Sequence, residues 1–217
     1  MAKGTGKTIM CDSCTAQECR KSYPDGIPDY CLAAREKAVL ERTKAEYAKP
    51  GTLEIYMAAA KTMEAGYASY PRIQEAIEFC KELKVKKVGL ASCIGLIREL
   101  GLVARLFTGA GFEIVAANCQ IGKISPGERV PDLKPEDFHH KWCNPIAQAE
   151  IMNEEGTDVN FVIGLCLGHD MLFNKYAKAP TSTLIVKDRV LGHNPAAALY
   201  ASPHRTNLFK KYTGKAE

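Results

Sequence analysis

Eight of the nine cysteines fall into two groups whose types and spacing suit metal or redox chemistry. The first group is Cys11, Cys14, Cys19 and Cys31, in "CDSCTAQEC" and "PDYC", a C-x2-C-x4-C-x11-C pattern. Thiolates select soft metals, and four of them in so short a stretch form a ligand set for zinc or for an iron–sulfur cluster. Structural zinc sites more often come as two C-x2-C knuckles, and only one is present here. The uneven spacing suits an iron–sulfur cluster, with zinc as the alternative. The second group is dispersed: Cys93, Cys119, Cys143 and Cys166. Three of these close an apolar run, in "VGLASC", "IVAANC" and "VIGLC", and Cys143 directly precedes "NPIAQAE".

The elements that must position the second group are legible from Lys86 onward. "KKVGLAS", "FEIVAAN", "VNFVIGL" and "TSTLIVK" read as buried strands, and helical stretches such as "IGLIRELGLVARLFTGAG" and "NPIAQAEIMNEEG" alternate with them. Such alternation predicts an α/β, Rossmann-like, mainly parallel sheet of about four strands flanked by helices. In an open parallel sheet, ligands bind outside the carboxyl ends of the strands. Three strands ending on cysteine therefore predict a shared site at that edge, with Cys143 joining it at the start of the next helix, where Asn144 is the expected N-cap. The helix starts after Cys93 and Cys143 are expected to stabilise thiolates. Zinc holds its sulfurs ~2.3 Å from one ion. Strand ends ~4.8 Å apart match a larger cluster more readily. The plain alternative is that these four cysteines are small packing residues.

Other polar groups near that edge are candidates for the same site. "LGHD" supplies His169 and Asp170, and "KDRVLGHN" supplies Lys187, Arg189 and His193. His169, His193 and Asp170 are the candidate catalytic groups, Asp170 doubling as a helix cap. Lys187 and Arg189 are candidate anion or substrate ligands. A long loop from Gln120 to Trp142 carries His139, His140 and the single tryptophan, Trp142, and could cover the site. Cys80 lies on the apolar stripe of "PRIQEAIEFCKELK" with Ile73, Ala76 and Ile77, and reads as core.

Upstream, residues 1–48 form a cysteine-rich metal-binding module with Pro turns, including one helix over about 34–47. Residues 49–85 form a helical pair packed on the core, and 86–201 the α/β domain. Residues 202–217 form a basic, solvated tail. "GTGKT" is not a phosphate-binding loop, because the glycine required five residues before the GK pair is Met1 and no strand precedes it.

Composition limits the function classes. The 217 residues are 46% hydrophobic and 25% charged, with a net charge of +4. No basic stripe interleaved with aromatics is present, so nucleic acid is not an expected partner. No apolar stretch approaches the ~20 residues of a membrane span, and the N-terminus lacks a secretory core. The expected setting is the reducing cytoplasm, where an odd number of cysteines points to metal or redox chemistry rather than to disulfides.

"CIGLIRELGLVARLFTGAGFEIVAANCQIGKI", "CNPIAQAE", "GLCLGHD" and "KDRVLGHNPAAALY" resemble an uncharacterised cysteine-rich "metal-binding protein" family, a domain of unknown function found mainly in anaerobic bacteria and archaea. The resemblance implies metal binding by cysteines in an anaerobic setting and supplies no reaction. The expectation is a metalloprotein with two four-cysteine sites holding one or two iron–sulfur clusters of the four-iron type. It would act on a small molecule with help from an electron-transfer partner. The alternative is a non-enzymatic metal-binding protein with structural zinc and a storage, delivery or sensing site.

Overall fold

In the computed structural model the four apolar runs form one parallel sheet. Residues 11–12, 14–21, 26–125, 128 and 142–215 are described. "GTGKT", His139 and His140 lie outside them, as does most of the loop before Trp142. The chain forms two compact units, Met1–Ala60 and Lys61–Glu217.

In the first unit a 3-10 turn at Glu18–Arg20 precedes α1 (Leu32–Arg35) and α2 (Lys37–Lys44), and a second 3-10 turn spans Ala45–Ala48. The single helix expected over 34–47 is thus broken. Glu36 sits at φ −106° and ψ 34°, outside the helical region, and serves as cap to both helices. No residue of α1 or α2 is buried, so little tertiary packing is available to hold one straight helix together. The boundary between the units falls within α3 (Thr52–Gly66).

The second unit carries the sheet. α4 (Arg72–Glu82) starts from Pro71 as N-cap, not as a first-turn residue, and buries Ala76 and Cys80, with Ile73 and Ile77 packed beside them. β1 (Lys87–Ser92), α5 (Ile97–Gly109), β2 (Glu113–Asn118), α6 (Pro145–Glu154), β3 (Val159–Ile163), α7 (Leu167–Tyr176) and β4 (Thr181–Ile185) follow. The strand order is β2-β1-β3-β4, parallel throughout. β1 and β3 are central and buried almost end to end, as strands covered on both faces should be. The edge strands β2 and β4 are only partly covered. α5 inserts Leu100, Val103 and Phe107 into the core, and Phe107 packs on Phe112 and Phe161.

The two ends of the sheet differ in chemistry. At the amino end, Asp158 Oδ2 accepts from the Lys86 and Lys87 N–H groups at 2.8 and 2.9 Å, and Lys87 pairs with Glu113 at 3.0 Å. The carboxyl end carries the thiols. β1 leads to β2 on one side, and the chain then returns to place β3 on the other, so the order reverses between β1 and β3. That reversal is where a doubly wound sheet opens its crevice.

Beyond β4, Asn194 and Pro195 lead into one short helix, α8 (Ala197–Tyr200). Residues read as a solvated tail instead form α9 (Ser202–Thr213), opened by Pro203 and closed by Gly214 at φ +75°. None of its residues is buried, which is why no apolar stripe announced it. No described helix is long and apolar enough to cross a membrane.

Candidate cysteine site at the carboxyl edge of the sheet

Each cysteine of the dispersed quartet is delivered by a separate element. Cys93 and Cys119 stand one residue beyond Ser92 and Asn118, the last register pair of β1 and β2. The ladder continues past that pair: the Cys119 N–H donates to Ser92 O at 2.8 Å. Cys166 follows β3 and is the N-cap residue of α7. Cys143 is brought in by its neighbour, since the Asn144 N–H donates to Cys119 O at 2.6 Å while the Asn144 side chain caps α6 through the Ala147 N–H.

The side chains meet. Lys187 Nζ, from just beyond β4, lies 2.6 Å from Cys93 Sγ and 3.4 Å from Cys166 Sγ. Cys119 and Cys143 continue the line, each close enough to its neighbour to influence that thiol's ionisation. The sequence runs Cys166, Lys187, Cys93, Cys119, Cys143 across the sheet edge, with Cys166 and Cys93 flanking the point where the strand order reverses. Backbone donors at the helix entrance complete it: the Gly95 N–H reaches Cys93 Sγ at 3.4 Å, and the Ile94 N–H reaches Cys119 Sγ at 3.3 Å.

These contacts set the charges. Burial alone would raise the Cys93 thiol, but Lys187, the Gly95 N–H and the Cys119 thiol outweigh it and hold Cys93 below its ordinary value. Burial pushes Cys119 up to about 12, against the Ile94 N–H and together with the neighbouring Cys143 and Cys93. Burial lowers Lys187 but the two sulfurs raise it further, so it stays an ammonium. The edge thus holds a sulfur whose charged form is favoured, a thiol kept neutral by burial beside it, and a cation held against the first sulfur.

The remaining candidates divide. Asp170 feels Lys187, but burial dominates and pushes its carboxyl up to about 6. Its Oδ1 is buried with no hydrogen-bond partner among the described residues. Asp170 is not the cap of α7; Cys166 holds that place and the Asp170 N–H donates to Cys166 O. His169 is in the first turn of α7, half-buried. His193, at φ +66°, is bound into its own turn: its Nδ1 accepts from the Asp188 N–H at 3.1 Å, and its N–H donates to Asp188 O. Arg189 is exposed in that turn. Lys187, a candidate anion ligand, lies against the sulfurs of Cys93 and Cys166. At the helix start after Cys143, Asn144 is the N-cap, as expected.

Gln148 was not singled out by sequence. It is fully buried, and its Nε2 donates to Ser92 O at 3.1 Å and Ala117 O at 2.7 Å. It thereby ties together the two strand ends that carry Cys93 and Cys119. The signal was a polar residue amid the apolar face of "NPIAQAEIM". Cys80 is fully buried in the core, and burial raises its thiol to about 12.

In the first unit, Cys11, Cys14, Cys19 and Cys31 all line one cavity of about 330 Å³, together with Ile27 and Pro28. Tyr30 is hydrogen-bonded to Cys14. As they stand, no three His, Cys, Asp or Glu side chains among the described residues are gathered around a point that could hold one metal ion. The edge sulfurs form a chain with Lys187 inserted, not a cage. The donor chemistry of the four sulfurs is that of a soft-metal ligand set.

The family described as "Protein of unknown function (DUF1847)" matches residues 31–184. The chain belongs to this family. The match opens on Cys31 and contains Cys93, Cys119, Cys143 and Cys166, so the edge quartet lies wholly inside the DUF1847 region. Cys11, Cys14 and Cys19 precede it, and Lys187 follows it. The chain is also similar to the uncharacterized protein MJ0455 of Methanocaldococcus jannaschii, 40% identical over 185 residues that cover 81% of this chain and 90% of the relative.

Proposed function

We propose that this DUF1847 protein is a cysteine-based metalloprotein with two four-sulfur sites. Cys93, Cys119, Cys143 and Cys166 form the working site at the carboxyl edge, and Cys11, Cys14, Cys19 and Cys31 form the second. The observation that carries the reading is that four separate elements deliver four thiols in a line along one edge of the sheet, two of them flanking the strand-order reversal, with a lysine as counter-cation. Packing alone does not call for an ammonium lodged between two sulfurs.

The occupant proposed is an iron–sulfur cluster at each quartet, with zinc as the alternative. Such a cluster supplies electron transfer or sulfur chemistry on a small molecule, in an anaerobic cytoplasmic setting. Lys187 offsets the negative charge of the assembled thiolates. It must swing away from the Cys93–Cys166 gap for both sulfurs to serve one occupant. Gln148 and Asn144 hold the strand ends and the α6 entrance in place. Asp170, whose carboxyl burial pushes up to about 6 at the same edge, can hold or release a proton just below neutral pH.

One observation favours the non-enzymatic alternative. Cys93 is 5% exposed and Cys119 1% exposed, which suits a closed storage, delivery or structural site. The two readings separate on whether a small molecule perturbs the bound metal's spectrum.

The test is metal content in variants. Cys119→Ser and Cys166→Ser should each lose about half of the metal bound per chain while retaining the far-ultraviolet dichroism of the native protein. Metal content unchanged in both would mean that the edge quartet is only packing.

A further inference from the structure

Cys93 and Cys119 each stand one step beyond the Ser92–Asn118 pair that ends the register of two adjacent parallel strands, and the Cys119 N–H still donates to Ser92 O at 2.8 Å. Adjacent strands lie ~4.8 Å apart, inside the ~4.4–6.8 Å of Cα separation that a disulfide spans. The Ile94 N–H, one residue beyond Cys93, donates to Cys119 Sγ at 3.3 Å, which brings the Cys119 sulfur against the Cys93 segment. Two donors, Lys187 Nζ and the Gly95 N–H, converge on Cys93 Sγ. Gln148 clamps both strand ends from behind, so the pair is held in register.

We propose that Cys93 and Cys119 are a reversible dithiol–disulfide pair that closes in the metal-free chain on reaction with hydrogen peroxide. The proposal needs only the two thiols and does not rest on what metal the quartet binds. Cys93 Sγ attacks one peroxide oxygen; the O–O bond breaks, a sulfenic acid forms, and the other oxygen departs as water with the proton of the thiol. Cys119 Sγ then attacks Cys93 Sγ; the S–O bond breaks, and hydroxide leaves as water with the Cys119 proton. The two thiols lose two electrons, the peroxide gains two, and the products are one disulfide and two waters. Cys93 is the attacking sulfur because its donors stabilise charge there. The oxidant must be small because both sulfurs are nearly buried. Closure removes two of the four edge thiols from service as ligands, so oxidation and metal loading exclude each other.

The experiment uses the full chain, reduced, stripped of metal with a chelator and titrated with hydrogen peroxide. Free thiols are then alkylated and the digest is mapped by mass spectrometry. The expected result is a peptide linking Cys93 to Cys119, lighter by two hydrogens than the sum of its parts and returned to two thiols by a dithiol reductant. Lys187→Met should slow its formation several-fold with unchanged far-ultraviolet dichroism. A Cys119–Cys143 link in its place would overturn the proposal, as would recovery of Cys93 and Cys119 unlinked after other cysteines are consumed. Metal counted on the same preparation before stripping judges the metalloprotein reading separately.

Discussion

Lys187 Nζ lies 2.6 Å from Cys93 Sγ, joining the loop after β4 to the end of β1 across the intervening strand β3. An ammonium facing a nearly buried sulfur favours the thiolate and is itself favoured by it, and both groups shift in the directions that this mutual support requires.

Removing that cation should leave burial opposed only by the Gly95 N–H and the Cys119 thiol. In Lys187→Met, the ultraviolet absorbance of the first thiolate to form in the metal-free chain should titrate at higher pH than in the native protein. An unchanged titration would mean that the Gly95 N–H and Cys119 suffice to hold the charge.

Asp170 gives the edge a pH signature with a definite sign. Its folded value of about 6 exceeds the ordinary ~4 of an unfolded aspartate. The stability supplied by the neutral carboxyl is therefore complete below about pH 4 and lost as pH rises through about 6. Asp170→Asn should match the native metal-free chain near pH 4 and exceed it by about 1 kcal/mol above pH 6, after allowance for solvent screening. Urea denaturation at the two pH values checks this.

Much of this site was legible in the sequence. Three apolar runs ending on cysteine, with helices between them, specify both the parallel sheet and the edge where the thiols collect. The role of Lys187 was not legible, because its partners lie 94 and 21 residues away and a lysine in a polar turn looks like any solvated cation. The hydrogen bond from the Asp188 N–H to the His193 ring was equally illegible, because it depends on the shape of the turn that joins them. α9 escaped because an unburied helix carries no apolar period.

Gly164 shows how closely the backbone is fitted behind the thiols. It sits at φ +63° between β3 and Cys166, where an added Cβ would collide with the side chain of Leu96, itself three residues beyond Cys93. Gly164→Ala should cost about 1–3 kcal/mol through strain and overpacking. Equilibrium denaturation measures the loss.

Cys80 provides the internal contrast, a thiol that is only core. Cys80→Ala should cost about 1 kcal/mol or slightly more as a small cavity, and Cys80→Ser about 1–3 kcal/mol for an unpaired buried hydroxyl. Neither should change the metal bound per chain, which elemental analysis of both variants would test.

The most direct measurement is iron, zinc and acid-labile sulfide per chain in protein purified without oxygen, with a visible spectrum. Two four-iron clusters predict about eight irons, matching sulfide and a broad visible absorbance. A colourless chain with no sulfide and at most two zincs would contradict the iron–sulfur account.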